Sequence, residues 1–207
     1  MLKIYGRANS LNVKKALWMC GELGLAFERE DWGRDYRPTS DPQFMKVSIY
    51  GVVPVIDDGG FILRESNTIV RYLAAKHGRT DLYPADVKAR ALCEQWMDYG
   101  SVDLGNGMRS VFQGKFLGIA PHNEPKVIAS GIADWNKQFG RLDTHLQTGG
   151  PYMTGAAFTV ADIPIGVMVN RWQTLEFEKP KLPAIDAYYA RLSERPAFRQ
   201  HVRNGTP

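Results

Sequence analysis

The stretch "YGVVPVIDDGGFILRESNTIVRYL", residues 50 to 73, restricts the fold more than any other part of the chain. The apolar runs "VPVID" and "FILRE" flank the turn "DDGG", which predicts a β-hairpin, and helical spacing follows. Pro54 cannot donate a hydrogen bond to a neighbouring strand, so it predicts a bend where the hairpin begins. A cis bond before Pro54 would expose the N–H and C=O groups of Val53, with which an extended peptide could pair.

The first 77 residues alternate between strand-like and helix-like segments. "LKIY" predicts a strand, Val13, Ala16 and Leu17 recur at helical spacing, and "AFERED" predicts a second strand. Together with the hairpin and the helix after it, the order is β, α, β, a loop with a short helix, β, β, α. This order is typical of a small α/β domain with a mixed sheet.

From residue 88 onward the pattern is helical. A second helical pattern runs between residues 92 and 112, and one long segment has apolar residues at steps of three and four: Ile128, Ile132, Trp135, Phe139, Leu142 and Leu146. The polar residues around Pro84 are typical of a linker. We therefore predict an α/β domain at residues 1–77, a linker at 78–87 and an all-helical domain at 88–207.

Composition indicates an ordinary globular protein of 207 residues, 44% of them hydrophobic. Because no apolar run approaches the ~18 residues of a membrane span and the start lacks a signal-peptide pattern, we expect a cytoplasmic protein with no membrane partner. Cys20 and Cys93 lie within helical patterns and suit reduced core thiols. The net charge is +4, but the basic residues are scattered, so we expect no nucleic-acid partner.

The segment "ESNT" after the hairpin offers two complementary ligand groups. Ser66 would lie at a helix N-terminus, where free N–H groups and the helix dipole favour a carboxylate. Glu65 beside it favours an ammonium group. The pair matches the head of an amino acid, although both residues could instead only cap the helix.

The segment "AFTVADIPIG" carries a local folding signal. Thr159 can cap a helix whose third position is Asp162, and Phe158 and Ile163 occupy the two positions of a hydrophobic staple. We interpret this segment as stabilising rather than catalytic.

Three motifs, "SIYGVVPVIDDGGFILRESNTIVRYL", "ELGLAFE" at residues 22–28 and "TVADIPIG" at 159–166, together resemble the cytosolic glutathione transferases. The resemblance covers essentially the whole chain and is with bacterial, theta-like members. It implies a thioredoxin-like N-terminal domain, an all-helical C-terminal domain and a homodimer. It also implies that glutathione is a co-substrate, with no metal, and that its thiolate attacks a small electrophile by addition or displacement.

The resemblance also implies which residues bind glutathione. The peptide would pair with Val53 beside Pro54, and Glu65 and Ser66 would hold its γ-glutamyl end. Many bacterial members have a lysine where this chain has Val52, so another cation must meet the glycyl carboxylate. We favour a cation from the loop region after the second strand, where the candidates are Arg34, Arg37 and Lys46.

The resemblance leaves two candidates for the thiolate donor. Alignment on "ELGLAFE" places the catalytic tyrosine of other classes at Gly6 rather than Tyr5, which would face the other side of its strand. Ser10 takes the position of the catalytic serine of theta-like members, and Asn12 follows in the first helical turn. Either residue could be the main donor, and the alternative is that they only cap the helix.

Residues of the helical half are candidates for the electrophile pocket. Arg109 could stabilise a developing anion and Phe112, one turn later, could give apolar contact, with Trp172 from a later helix. Tyr50 resembles the aromatic key that some classes, notably pi, insert into a partner subunit.

Two other functions remain open. One is a catalytically silent relative that acts as a protein-interaction or stress-response module. The other is reduction of mixed disulfides, which normally uses a cysteine where this chain has Ser10 or Asn12. This function therefore ranks below both the transferase and the silent relative.

Overall fold

The computed structural model describes residues 1–205, which form two compact units. Unit 1 comprises Met1–Ala85 together with the C-terminal segment from Ser193 on, and unit 2 comprises Asp86–Leu192. The sequence had assigned all residues from 88 onward to one helical domain. The difference lies in the C-terminal segment, which packs on unit 1.

Unit 1 is built on a four-stranded sheet in the order β2-β1-β3-β4. Its strands are β1 (Leu2–Tyr5), β2 (Phe27–Glu30), β3 (Val55–Asp58) and β4 (Phe61–Arg64). The first strand runs parallel to β2 and antiparallel to β3, and β3 runs antiparallel to β4. The predicted mixed sheet is therefore confirmed.

The turn between β3 and β4 explains the sequence "DDGG". Gly59 and Gly60 have φ values of 65° and 96°, which glycine adopts without the steric cost of a Cβ atom. The Asp57 carboxylate accepts a hydrogen bond of 2.7 Å from the N–H of Gly60. Both features favour a tight hairpin.

Three helices interleave with these strands in the predicted βαβ-loop-ββα order: α1 (Leu11–Glu22), α2 (Pro42–Val47) and α3 (Ser66–Lys76). Side chains alternate across the sheet, so Ile4 is fully buried on one face while Tyr5 faces the other. Tyr5 packs there against a cluster of Trp32, Phe44 and Val55.

The C-terminal segment is tied to α1 by polar contacts that are buried or partly buried. The Nζ atom of Lys14 donates to the carbonyl of Val202 at 3.2 Å. Glu22 accepts two hydrogen bonds from the guanidinium of Arg195, at 2.9 and 2.6 Å. The segment includes the last helix, α9 (Pro196–His201). Because these partners lie about 170 residues or more apart in sequence, local patterns carried no sign of the contact.

The regular elements of unit 2 are helical, as predicted. They are α4 (Val87–Ser101), α5 (Asp103–Arg109), a π-helix (Ser110–Phe116), α6 (Pro125–Gly149), α7 (Asp162–Thr174) and α8 (Pro183–Ser193). The long apolar series falls on α6, where Trp135, Phe139 and Leu142 are fully buried. The second predicted helix is divided into three elements, and Leu92 is 52% exposed rather than buried. No helix within residues 1–205 combines the length and apolar character needed to cross a membrane.

The segment before α7 is held by Asp162 rather than by the predicted Thr159 cap. The helix begins at Asp162 without a side-chain cap within residues 1–205, and the Thr159 hydroxyl donates to the Asp162 carboxylate at 3.5 Å. The Asp162 carboxylate accepts hydrogen bonds from the N–H groups of Thr159 and Met153 and from the Tyr188 hydroxyl, at 2.8 to 2.9 Å. Phe158 and Ile163 are both buried, in agreement with a hydrophobic staple. Burial raises the pKa of Asp162 to about 6, against the effect of its hydrogen bonds.

Both cysteines are free and buried, as the sequence indicated. Burial raises the pKa of the Cys20 thiol to about 12 and also raises that of Cys93. Thiols with raised pKa values are poor nucleophiles at neutral pH, so neither is a candidate for catalysis.

Candidate functional site

The loop after β1 has no room for a catalytic tyrosine. Gly6, which occupies the tyrosine position of other classes, has a φ of 145°. A Cβ atom there would lie 2.6 Å from Val13 Cγ2 and 3.0 Å from Val53 Cβ. Tyr5 packs in the sheet core instead, where burial, followed by the charge of Glu30, raises the pKa of its phenol. Neither position is therefore a candidate for the thiolate donor that the sequence predicts.

Ser10 stands at the N-terminus of α1 with its hydroxyl uncommitted to the helix. Its carbonyl accepts the N–H of Lys14 at 2.9 Å, so its backbone begins the helix. Its side chain is buried, with only 8% of its surface exposed. It nevertheless makes no capping hydrogen bond to the residues that the structure describes. Capping alone therefore does not account for the Ser10 side chain.

Asn12 joins the first turns of α1 and α3. Its Oδ1 atom accepts a hydrogen bond of 3.4 Å from the Ser66 hydroxyl. Asn12 is exposed and its amide nitrogen is the group left to donate. The two helix N-termini lie side by side, and their dipoles both favour a bound anion.

Glu65 has a backbone conformation that only a functional or structural need explains. Its φ of 69° and ψ of 110° are rare for a residue with a side chain and cost about 1–3 kcal/mol. The side chain is exposed, pairs with Arg64 at 2.7 Å and makes no capping bond to α3 within residues 1–205. The Glu65 side chain therefore does not cap α3 in the described part of the chain.

Lys15 lies beneath this site and was not identified from the sequence. It is 2% exposed, and its Nζ atom donates to Asn67 Oδ1 at 3.3 Å. Burial lowers the pKa of Lys15 to about 8, although the charge of Glu65 raises it. A signal was available, because Lys15 lies four residues after Leu11 and three before Trp18, on the buried stripe of α1. Two consecutive lysines are usually interpreted as solvent-exposed, so this signal was not used.

The bond between Val53 and Pro54 is cis, as the sequence suggested. Pairing of β3 with both neighbours begins at Val55, opposite Tyr5 and Arg64. The backbone of Val53 thus lies beyond the last paired residue of the sheet. This is the position at which an added extended peptide can pair.

The cations proposed for the glycyl carboxylate differ in how far they are engaged. Arg37 donates to Glu30 at 3.0 Å and stacks on the Trp32 ring at 3.8 Å, so it already has partners. Arg34 is exposed, with a φ of 50°, and Lys46 is exposed on α2.

In unit 2, Arg109 and Phe112 occupy neighbouring turns where α5 passes into the π-helix. Arg109 is exposed and Phe112 is half-buried, with the Arg171 guanidinium 4.0 Å from its ring. Short π-helical segments frequently occur at functional sites. The pair therefore offers an exposed cation beside a held aromatic ring.

Trp172 lies in the core of unit 2, in contrast to its predicted place on a pocket wall. It is 2% exposed, stacks on Phe139 with ring centroids 4.8 Å apart and donates to Asn136 at 3.0 Å. So little exposed surface leaves nothing for a ligand to contact, and its role is packing.

Tyr50, the predicted dimer contact, is 58% exposed in the loop before β3. The Arg64 guanidinium lies 3.8 Å above its ring, which holds the ring in place.

Side chains suited to a metal are not gathered anywhere in residues 1–205, where no group of three or more His, Cys, Asp or Glu residues could hold an ion. Hydroxyl, amide and carboxylate groups lie instead beside the N-termini of α1 and α3, on Ser10, Asn12, Glu65 and Ser66. Such groups are suited to a small charged ligand.

The chain is similar to known proteins in both sequence and fold. Residues 4–81 match the glutathione S-transferase N-terminal domain and residues 133–204 the glutathione S-transferase C-terminal domain. Glutathione S-transferase GstB of Escherichia coli (strain K12) is 32% identical over 98% of both chains. Glutathione S-transferase 3 of Zea mays is 29% identical over 97% of this chain and 93% of its own.

A solved structure is similar over the full length. The theta class glutathione S-transferase from Xanthomonas axonopodis pv. citri with glutathione bound has a TM-score of 0.91 and 35% identity, covering 100% of this chain and 99% of its own. The two domain matches and the similarity to GstB over nearly the whole chain show that the chain belongs to the glutathione S-transferase family.

Proposed function

We propose that this glutathione S-transferase holds the sulfur of glutathione as a thiolate next to Ser10 and transfers the glutathionyl group to a small electrophile. The thiolate forms a bond to carbon, either by addition or by displacing a leaving group, and the thiol proton passes to solvent. The observation that carries the proposal is the uncommitted Ser10 hydroxyl at the N-terminus of α1. Such conjugation is typical of detoxification.

The binding site proposed for glutathione spans the helix and strand ends of unit 1. The γ-glutamyl carboxylate would accept from the free N–H groups of α3 and from the Ser66 hydroxyl, which would turn to it from the long 3.4 Å contact with Asn12 Oδ1. The γ-glutamyl ammonium would pair with Glu65. The cysteinyl backbone would pair with Val53, next to Pro54. The unpaired backbone beyond Val55 supports this arrangement.

The energetic requirement for thiolate formation is moderate. A free thiol titrates at ~8.5, and lowering that pKa by about two units requires roughly 2.7 kcal/mol of preferential anion stabilisation. A hydrogen bond to a charged group supplies about 1.5–3 kcal/mol, and a helix N-terminus supplies about 0.3–1 kcal/mol more. Ser10 and the α1 dipole together therefore supply about 1.8–4 kcal/mol, a range that includes the requirement, and Asn12 would be a second donor.

The electrophile subsite is proposed at Arg109 and Phe112. An exposed guanidinium can stabilise negative charge that develops on the electrophile, and a half-buried aromatic ring gives apolar contact. Their proximity on adjacent turns, with Arg171 against the Phe112 ring, supports the assignment.

Two assays test the function. The purified protein should be retained on glutathione-agarose and should turn over a chlorinated dinitrobenzene in the presence of glutathione. A catalytically silent relative would not give turnover. Absence of both retention and turnover with a panel of electrophiles would contradict the proposed function. Since both cysteines are free and buried, we also propose that the protein works in the reducing cytoplasm.

We further propose a homodimer in which Tyr50 contacts the partner subunit. Replacing Tyr50 with serine should weaken the dimer by about 30-fold or more, since an aromatic anchor at an interface is often worth about 2 kcal/mol. Sedimentation velocity over a concentration series measures the change. Tyr36→Ser is the matched control, because Tyr36 is also an exposed tyrosine of unit 1, at 47%. Equal sedimentation of both variants and the wild type would remove Tyr50 from the interface.

A further inference from the structure

Arg7 follows β1 directly, and its side chain extends to the loop after β2. Its N–H donates to the carbonyl of Trp32 at 3.3 Å. Its Nη1 atom lies 2.7 Å from the point where a Cβ of Gly33 would be. Gly33 has a φ of 90° and leaves the space that the guanidinium fills. The cation is therefore held against this loop by the shape of the backbone.

The guanidinium of Arg7 has donor capacity that the protein itself does not use. Its Nε atom is buried and has no hydrogen-bond partner in the part of the chain that the structure describes. Burial is the main cause of a lowered pKa for Arg7, followed by repulsion from Arg34, while Asp35 and Tyr36 act in the opposite direction. A buried charged donor without an acceptor is costly, and an anionic ligand would relieve that cost.

Arg7 and the proposed glutathione contacts lie at the same end of the sheet. The register pairs Tyr5 with Glu30 and with Val55, and Val55 with Arg64. The carboxyl ends of β1, β2 and β4 therefore meet the amino end of β3. Across this edge the order runs from Ser66 after β4, through Val53 before β3, to Arg7 after β1 and Gly33 beyond β2.

The width of this edge fits the ligand. Neighbouring strands are about 4.8 Å apart, so the distance from the end of β4 to the ends of β1 and β2 is about 10–14 Å. An extended tripeptide spans about 10 Å, and a γ-linkage lengthens it. A glutathione molecule with its amino acid head at Ser66 and its cysteinyl backbone at Val53 would bring its glycyl carboxylate to the β1 and β2 side.

The surrounding loops close around the same point. The Thr39 methyl lies 3.7 Å from the Cβ position of Gly33, and the Thr39 carbonyl lies 3.8 Å from that of Gly51. Gly6, next to Arg7, packs against Val53. The loops around residues 33–39 and 51–53 therefore converge beside Arg7.

We propose that Arg7 is the cation that binds the glycyl carboxylate of glutathione. It would take the role of the lysine that many bacterial members have at the position of Val52. The assignment rests on the proposed function. It differs from the three cations that the sequence offered, because Arg37 is already paired with Glu30 and stacked on Trp32, and Arg34 and Lys46 are exposed.

Glutathione and its glycyl monoethyl ester, which lacks the glycyl charge, test the proposal. Isothermal titration should show that the wild type binds glutathione about 10- to 100-fold more tightly than the ester, the usual range for a charge-assisted hydrogen bond. In Arg7→Gln, glutathione should bind as weakly as the ester, so that the ratio falls to about one. Arg37→Gln, the matched control, should keep the wild-type ratio.

The outcomes separate this inference from the proposed function. Failure of the wild type to bind either compound overturns both. Equal binding of the two compounds by the wild type overturns the role of Arg7 and leaves glutathione binding intact, with no variant needed. A wild-type ratio in Arg7→Gln, or in the neutral variant Arg7→Met if the glutamine variant does not fold, also overturns it. Loss of the ratio in Arg34→Gln alone would assign the carboxylate to Arg34.

Discussion

Ser10→Ala is expected to raise the pKa of the bound glutathione thiol by about one to two units, because the variant loses a hydrogen bond to the thiolate worth about 1.5–3 kcal/mol. Turnover near pH 6.5 should fall by about 5- to 50-fold, in parallel with the fraction of thiolate. The thiolate absorbs in the ultraviolet, so a pH titration of the complex measures the pKa directly. The same titration in the presence of an electrophile gives the rate.

The stability of Ser10→Ala provides an internal control. Removing a serine that caps a helix typically costs about 1 kcal/mol, but the Ser10 side chain makes no capping bond within residues 1–205. Its loss should therefore change the free energy of unfolding, measured with urea, by less than about 0.5 kcal/mol. A large drop in activity without a drop in stability would separate the catalytic role from capping.

Asn12→Ala distinguishes the two candidate donors. Asn12 Oδ1 accepts a hydrogen bond from the Ser66 hydroxyl. Removing the Asn12 side chain should therefore mainly disturb binding of the γ-glutamyl end and raise the KM for glutathione. An unchanged thiol pKa in Ser10→Ala together with a raised pKa in Asn12→Ala would move the thiolate role to Asn12.

Asp162→Ala is expected to lower the free energy of unfolding of unit 2 by about 3–4 kcal/mol. The change leaves the N–H groups of Thr159 and Met153 and the Tyr188 hydroxyl without their acceptor in a buried site. Each orphaned buried group costs about 1–3 kcal/mol, partly offset by relaxation. For a chain of this length the midpoint of thermal unfolding should fall by about 6–15 °C.

Asp186→Ala is the matched control for that measurement. Asp186 is an exposed aspartate of the same unit whose carboxylate accepts one hydrogen bond from Gln173. Its removal should change the free energy of unfolding by less than about 0.5 kcal/mol. If Asp162→Ala and Asp186→Ala melt within a degree or two of each other, the buried hydrogen bonds of Asp162 are not what stabilises the start of α7.

Local patterns in the sequence predicted the elements but not every neighbour. The turn "DDGG" and the alternation around it predicted the hairpin, because glycine backbone freedom and side-chain alternation act within a few residues. The apolar steps of α6 predicted its buried face for the same reason. Leu92 is an exception to this local prediction. The helical pattern that includes it runs across the break at Val102, and the observed helix α4 places Leu92 at the surface.

The site could be predicted in part. The site residues predicted from their types, their positions at helix starts or beside a proline, and the family resemblance stay predictions: Ser10, Asn12, Val53, Glu65 and Ser66. Arg7 and Lys15 were missed because a cation is usually solvated. The position of Lys15 on the buried stripe of α1 was a local signal, whereas Arg7 is covered by a loop that is distant in the sequence. Trp172 was placed on a pocket wall because its spacing did not reveal how fully Phe139 covers it.

The sequence by itself therefore determined the order of strands and helices, the cis-proline turn and the polar residues at the starts of α1 and α3. These depend on backbone preferences and periodicities that act over one or two turns. Only the tertiary structure decided that Asn12 meets Ser66, that Arg7 fills the space above Gly33 and that the segment from Ser193 packs on α1. Such contacts join residues far apart in the chain, and their energies depend on burial, which no local pattern records.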